Sequence, residues 1–342
     1  MTLAPQMRFR ERLEQELTAL ASGFVPELRS FVNQYCDPLL LPVLQRAVSA
    51  KQTFDRALLA RTSCKAVCGE ARRALPAMLA IELLDISLMV IDDFFDEQRS
   101  RQGEETVYGK WGSRPAVIAG IVAKSMSSIA LGSLQKDRRV SGARLAAALC
   151  SLEQVHQRIY RGQYQDIAFE QVSFDNVSLD SYLAMIKDTT GEEIALALSL
   201  GAVAGGGLSS QITAFSQLGL QLGVLAQIRD DLIDLVDDEA LIGKTAFSDL
   251  RARKRRLPII IAFQYADQGQ RRTIDQMFQK KRLSRKDIDD LLTIIVTKRV
   301  MDRIRQLVDD LAGQAKECLL SINLPAEETR PIQDYLEVVS DV

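Results

Sequence analysis

Apolar residues recur every three or four positions along most of the chain, and that spacing predicts helices. Leu13, Leu17, Leu20, Phe24, Leu28 and Phe31 share one face of a helix over 8–35, with charged residues between them. The pattern resumes over 38–62, after Pro38 and Pro42. Residues 72–97 read as one long helix, and 99–105, polar and holding Gly103, as a loop. Helices are expected again over 114–135, 140–171, 180–204 and 209–238, with a turn at 173–178 and a stop at Gly205-Gly206-Gly207. Residues 243–256 read as a basic loop, Pro258 as the start of a helix, and 258–340 as helical with mostly polar faces. No stretch alternates long enough to predict a sheet, and no short period repeats. The expected fold class is all-α, with many helices around a central cavity in one domain, 1–342.

Two of these apolar runs carry acids where an apolar face would be simpler. The first is Ile91-Asp92-Asp93-Phe94-Phe95-Asp96, the second Arg229-Asp230-Asp231-Leu232-Ile233-Asp234. Residues four apart share a helix face, so Asp92 stacks over Asp96 and Asp230 over Asp234. Carboxylates stacked on an apolar helix need a partner. Carboxylate oxygens suit hard cations, and Mg²⁺ commonly takes one or two carboxylates plus phosphate oxygens of a substrate. A single such motif is weak, because acidic helix turns are common on surfaces. Two copies, each set in apolar sequence and followed by basic residues, point to a metal–diphosphate site. Its expected metal ligands are Asp92, Asp93, Asp96, Asp230, Asp231 and Asp234.

Composition narrows the setting. With 342 residues, 47% of them hydrophobic, the chain can build a large core. A net charge of −2 without long single-sign blocks gives no reason to expect nucleic acid. The five cysteines, Cys36, Cys64, Cys68, Cys150 and Cys318, are scattered, and Cys64/Cys68 has no second pair to complete a zinc site. Free thiols in a reducing cytoplasm are the simpler reading. The start shows no signal-peptide core, and no uninterrupted apolar run reaches the roughly 20 residues of a membrane span. A cytoplasmic enzyme with no stable membrane span is therefore expected.

Basic residues follow each motif: Arg99 and Arg101 after the first, Lys244 and Lys254 after the second. Beside a metal–phosphate cluster such cations stabilise the charge a leaving diphosphate acquires. Alone, the run 251–256 would read as a solvated basic loop, but its position just past an acidic motif favours phosphate contact. Gln163, Asp166 and Gln227 sit on apolar faces; each singly is more simply a core group with a partner, but together they could line a cavity. Most of Phe94, Phe95, Tyr160, Tyr164 and Phe169 read as core, with a few able to face a carbocation. His156, the only histidine, reads as structural or surface.

These residues, as a set, resemble the trans-isoprenyl diphosphate synthases, the polyprenyl synthetases. The resemblance runs in order over about 50–265, through Ile81-Glu82-Leu83-Leu84, the first motif, Arg101-Gln102-Gly103, Thr106-Val107-Tyr108, Trp111-Gly112, Gly162-Gln163 with Asp166, Gln227 with the second motif, Gly243-Lys244, Asp249-Leu250, Lys254 and Leu257-Pro258. It divides the domain into N-terminal helices 1–50, a family-like core 50–265 and C-terminal helices 266–342. It implies the isoprenoid synthase fold, a homodimer, and three Mg²⁺ ions held by both motifs. It implies further that an allylic diphosphate is ionised and attacked by isopentenyl diphosphate held in a second, basic site. Arg101, Lys244 and Lys254 then fall on cations that grip the allylic diphosphate, joined by Thr190 and Gln227. The implied catalytic set is Asp92, Asp96, Arg101, Asp230, Asp234 and Lys244. Leu84, Ser87, Leu88, Phe95, Met126 and Gln163 fall on the walls of the prenyl pocket, where small Ser87 leaves depth for a C15 or C20 chain.

The chain departs from the family at the isopentenyl diphosphate site. Arg56 survives, but Thr53 replaces a lysine, Gln102 an arginine and Asp85 a histidine or glutamine, with Glu104-Glu105 where Lys-Pro is common; Thr189-Thr190 stands for Lys-Thr at the other site. A carboxylate about 4 Å from a phosphate charge costs on the order of 4 kcal/mol at an effective dielectric near 20. That is roughly a thousandfold in affinity, with Lys51 and Arg99 the candidates to offset it. The expectation drawn from this is an enzyme that ionises a C15–C20 allylic diphosphate and cyclises or eliminates the cation, a terpene synthase of isoprenyl-synthase type. The alternatives are an ordinary chain-elongating synthase, or a prenyltransferase to another acceptor. A non-enzymatic regulatory subunit predicts eroded acidic motifs, and both are intact.

Overall fold

The structure is a computed structural model of the chain, and it describes residues 3–101, 103–235, 247–280 and 282–342. In chain order the helices are α1 (Leu3–Tyr35), α2 (Leu41–Ala50), α3 (Asp55–Cys68), α4 (Leu75–Phe95), α5 (Val107–Trp111), α6 (Ser113–Gly132), α7 (Gly142–Phe169) and α8 (Leu179–Ile186). There follow α9 (Glu192–Ala204), α10 (Ser209–Ile233), α11 (Ser248–Ala252), α12 (Leu257–Tyr265), α13 (Gln268–Phe278), α14 (Arg285–Ile295), α15 (Lys298–Ser321) and α16 (Ala326–Val339). The all-α expectation holds. Pro258 sits in the first turn of α12, as Pro76 does in α4, where the missing N–H has no helical partner to lose.

Three local departures matter for the site. The pattern expected to continue over 38–62 breaks at 51–54, between α2 and α3. The loop expected at 99–105 closes as a small antiparallel hairpin, β1 (Ser100–Arg101) on β2 (Glu104–Glu105). The helix expected over 180–204 is interrupted by a π-helical turn, Lys187–Gly191. Such turns loosen the helical ladder and often mark functional positions.

The chain separates into two compact units. The first comprises Met1–Val155, Glu193–Gly219 and Cys318–Val338. Within it α4 packs most extensively on α6. A Cβ on Gly120 of α6 would lie 2.6 Å from the Ile91 side chain, so only glycine lets the two helices approach this closely. The Ser87 hydroxyl donates to the Gly120 carbonyl at 2.7 Å across the same seam. Two helical stretches, Ala71–Phe95 and Ser113–Lys136, are long and apolar enough to cross a membrane by length and composition, against the expectation that none would be. Counting only uninterrupted apolar runs missed them. The first is 72% buried in the protein, as a core helix is.

The second unit comprises His156–Glu192, Leu220–Glu317 and Val339–Val342. Phe174 stacks on Phe263 at 5.2 Å and meets Phe278 edge-on at 4.8 Å. The Arg255 guanidinium lies over Phe174 at 4.3 Å and Phe278 at 4.7 Å. This pins the basic run to the core instead of leaving it to solvent.

Candidate functional site

The first acidic motif straddles the C-terminus of α4. Asp96 caps the helix, and its N–H bonds the Asp92 carbonyl at 2.9 Å, so the two carboxylates share a face as their spacing requires. The negative end of the helix dipole adds to their charge, and both favour a cation there. Asp96 is exposed and the Asp92 side chain is 42% exposed. Asp93 turns the other way: it is 2% exposed and accepts from Nε and Nη2 of Arg101 at 3.1 and 2.9 Å. Burial pushes the Asp93 carboxyl above the usual range, with Arg101 pulling it back. The hairpin thus delivers Arg101 to the motif; its Nη2 also lies 3.8 Å from Asp92.

The second motif straddles the C-terminus of α10, with the Asp234 N–H bonded to the Asp230 carbonyl at 3.1 Å. Asp230 is exposed. Asp231 and Asp234 are buried, at 2% and 1%. The Asp231 carboxylate accepts from the Tyr182 hydroxyl, from Gln227 Nε2 at 3.0 Å and from the Leu257 N–H at 3.0 Å. Asp234 accepts from the Ser248 N–H and hydroxyl at 3.1 and 2.7 Å and from the Asp249 N–H at 2.9 Å. Its carboxylate therefore satisfies the free amides at the start of α11. Burial pushes Asp231 up to about 6, opposed by Arg256.

Arg256, expected in the sequence only as part of a basic run near phosphate, turns inward onto carboxylates. Its guanidinium bonds Asp166 at 2.8 Å and lies 3.6 Å from Asp249 and 3.9 Å from Asp231. Lys254, expected on the diphosphate, is 4% exposed and reaches Asp166 at 3.2 Å and Glu170 at 3.7 Å. Burial opposes ionisation of Asp166, yet Arg256 and Lys254 hold its carboxyl below the ordinary range. The basic run was visible in sequence; which of its members turned inward was not. Tyr182 gave no signal at all.

Thr190 lies in the π turn and donates to Gln227 Oε1 at 2.7 Å, so Thr190, Gln227 and Asp231 form one chain of hydrogen bonds. A Cβ on Gly223 would stand 2.4 Å from the Thr190 carbonyl, which is why α10 can press against the turn. Among the prenyl-pocket candidates, Leu84 and Met126 are buried, Ser87 is buried in the seam of α4 and α6, and Leu88 is half-buried. Phe95 is 44% exposed, and Gln163 is half-buried on α7. Lys244 and Gln102 lie outside the described residues. Among the described residues no three metal-binding side chains converge as a preformed cluster. Each motif instead presents the one or two outward carboxylates that suit Mg²⁺ when phosphate supplies the remaining oxygens.

Further up α4 the first unit holds a dense charge cluster. Lys51, from the break after α2, pairs with Asp85 and lies 3.5 Å from Glu82. Arg56, in the first turn of α3, reaches Asp55 at 2.8 Å, Glu193 at 2.9 Å and Asp85 at 3.7 Å.

The family model for polyprenyl synthetases matches residues 38–295. A short chain isoprenyl diphosphate synthase of Methanothermobacter thermautotrophicus is 30% identical over 244 residues, covering 71% of this chain and 73% of that protein. A geranylgeranyl pyrophosphate synthase of Geoglobus acetivorans is 27% identical over 288 residues, 84% of each chain. Among solved structures, the geranylgeranyl pyrophosphate synthetase of Pyrococcus horikoshii superposes with a TM-score of 0.84 at 24% identity, covering 97% of this chain and 99% of that one. The fold is thus the isoprenoid synthase fold expected.

The relatives' names overturn the expectation of a cyclising terpene synthase, because they are chain-elongating synthases. The physical error lies at Asp85. The thousandfold penalty left the offset by Lys51 uncounted, whereas Asp85 is paired with Lys51 and flanked by Arg56.

Proposed function

The chain belongs to the polyprenyl synthetase family, and from that premise we propose that it is a chain-elongating trans-prenyl diphosphate synthase, joining an allylic diphosphate to isopentenyl diphosphate. The observation that carries this reading is the activity in the names of the relatives that align with most of its length. Two intact acidic motifs at helix C-termini support it chemically.

The six aspartates divide by exposure into two roles. Asp92, Asp96 and Asp230, facing outward, are the proposed direct ligands of Mg²⁺, with three ions as the full complement. Asp93, Asp231 and Asp234 are positioning groups, each buried and holding its motif to a neighbour. Mg²⁺, when bound, neutralises the diphosphate and favours its departure. Arg101, fixed by Asp93 beside Asp92, contributes a charge-assisted donor to the allylic diphosphate. Lys244 is proposed for the same task, and Thr190 and Gln227 orient the second motif through Asp231. Lys254 acts through Asp166, not on substrate. Leu84, Ser87, Leu88, Phe95, Met126 and Gln163 remain the proposed walls of the prenyl pocket.

A homodimer is part of this reading. Ile118, Ile121 and Ile129 are 46%, 60% and 45% exposed along one face of α6, an apolar stripe of the kind that marks an interface. A monomer in light scattering at micromolar concentration removes it. A reducing, cytoplasmic setting is also proposed, on the five free cysteines.

The test is mass spectrometry of products from C10, C15 and C20 allylic diphosphates, each alone and with isopentenyl diphosphate. Products lengthened by C5 units are expected only with both substrates. No lengthened product from any pair overturns the proposal. Asp92→Asn with Asp230→Asn should abolish diphosphate release; retained release removes the metal assignment.

A further inference from the structure

Within the first unit, α1, α2 and α5 enclose a cavity of about 440 Å³, the size of a small-molecule site. Its walls carry three cations, Arg29 from α1, Arg46 from α2 and Lys110 from α5, and no carboxylate. Asn33 and Gln45 add polar groups, bonded to each other at 3.0 Å, and Trp111 adds a flat apolar wall. The cavity shares no residue with either acidic motif, with the proposed prenyl-pocket walls or with the Lys51–Arg56 cluster. Three cations converging on one hollow, in a chain whose net charge is −2, favour an anion there.

The pair Glu104-Glu105, one of the departures noted in the sequence, meets this cavity. Arg46 Nη1 donates to the Glu104 carboxylate at 2.9 Å, and Arg46 Nε to the Glu105 carbonyl at 2.6 Å. In the hairpin Glu104 pairs with Arg101, the arginine that holds Asp93 of the first motif. The third wall leans on the same hairpin: a Cβ on Gly109 of α5 would lie 2.2 Å from the Arg99 carbonyl. The cavity and the first motif are thus braced by one short strap. The Glu104 side chain is 51% exposed, so its hold on Arg46 is screened by water. A phosphate brings more charge and more acceptors than this carboxylate, so it competes for Arg46 and repels Glu104.

We propose that the cavity binds a phosphate- or diphosphate-bearing anion, held by Arg29, Arg46 and Lys110, and that the bound anion takes Arg46 from Glu104 and so loosens the hairpin that carries Arg101. The site stands apart from the elongation reading; its effect on the allylic KM rests on it. Binding forms and breaks ion pairs only. Arg46 acts on the first motif through the hairpin and is a positioning residue there.

Trp111 is the only tryptophan of the chain, and the Lys110 ammonium lies 4.7 Å from its ring, so its fluorescence reports the occupant directly. Fluorescence and calorimetric titrations without Mg²⁺ use the wild type, Arg29→Gln, and Asp92→Asn with Asp230→Asn. The probes are inorganic diphosphate, and vesicles of phosphatidylglycerol against phosphatidylcholine. Saturable binding is expected below about 1 mM, weakened about tenfold in Arg29→Gln and kept when the metal motifs are neutralised. Saturation by diphosphate marks a free phosphate compound as the ligand; a response to phosphatidylglycerol vesicles alone marks a lipid headgroup. No saturable binding of either probe, or binding that Arg29→Gln leaves unmoved, overturns the site. In initial-rate assays the probe that binds should raise the wild-type allylic KM about threefold more than that of Glu104→Gln, where only direct competition at the allylic site remains, with kcat within about twofold. An equal rise in both overturns the coupling. Absence of wild-type elongation sinks the parent reading and the KM claim with it, while the titrations still decide the site.

Discussion

The two acidic motifs have the same spacing and the same place at a helix end, yet they are built into the protein differently. On α4 one of three aspartates is buried, and it is held by one arginine from a hairpin. On α10 two of three are buried, and they are held by a tyrosine, a glutamine and three backbone amides. Arg256 then ties Asp231 to Asp166 and Asp249. Both motifs turn carboxylates outward, but the second is also a keystone of its unit. The same five-residue pattern can thus face mainly outward in one place and be half scaffold in another.

The strongest way to break this contrast is to remove the central cation of each region. Arg256→Met leaves Asp166, Asp231 and Asp249 without it, and should cost about 3–5 kcal/mol, the usual penalty for orphaning buried charge. Arg101→Met leaves one buried carboxylate, Asp93, without its partner and should cost about 1–3 kcal/mol. Urea denaturation measures both, and equal losses would erase the distinction.

The next effect sharpens where the first unit keeps its buried acid. Most of that acid, Glu82, Asp85 and Glu193, lies in the cluster upstream of the motif, which buries only Asp93. Burial pushes Glu82 up to about 8 and Glu193 up to about 7. Both are raised above their unfolded values, so the folded state holds protons that the unfolded chain releases. Stability should therefore fall as pH rises from about 4.5 through 8. Asp85, held near 2 by Lys51 and Arg56 against its burial, contributes stability that is present above about pH 4 and lost as pH falls toward 2. Glu193→Gln should flatten the decline, and an unchanged slope would place the titration elsewhere.

Much of this was legible in sequence. Periodicity placed both motifs on helices, and helices four residues per face placed Asp92 with Asp96 and Asp230 with Asp234. Spacing says which residues share a face but not what packs on the other. Asp93 and Asp231 turned inward because Arg101, Tyr182 and Leu257 were there to meet them, and those partners are 8, 49 and 26 residues away. The break at 51–54 was hidden because Phe54 and Leu58 keep helical spacing across it. Asp85 was read as a net cost, with Lys51 only a candidate to offset it, because pairing between residues 34 apart cannot be seen in an alignment of motifs.

Next in size is a carboxylate-to-amide change in each motif. Asp234→Asn turns an acceptor into a donor facing the Ser248 and Asp249 amides, and should cost about 1–3 kcal/mol. The same change at exposed Asp96 should stay within about 0.5 kcal/mol. Thermal melts of the two variants compare them directly. A large loss at Asp96 would mean the first motif is scaffold too.

The smallest effect probes how far the scaffold of the second region extends. The Thr190 hydroxyl is the outermost link of the chain that reaches Asp231 through Gln227. Thr190→Val keeps the branched shape and removes only the donor. Gln227 is half-buried, so water can replace part of the lost bond. The cost should be about 1 kcal/mol. If Thr190 serves only to orient Gln227, Gln227→Leu should cost more, and Thr190→Val added to it should cost nothing further, because the partner is already gone. If Thr190 also touches the allylic diphosphate, the double variant should lose more allylic affinity than Gln227→Leu alone while its stability stays equal. A fully additive double variant in both measurements would show that the π turn and α10 are not linked through this chain, and the second region would then be less different from the first than its hydrogen bonds imply.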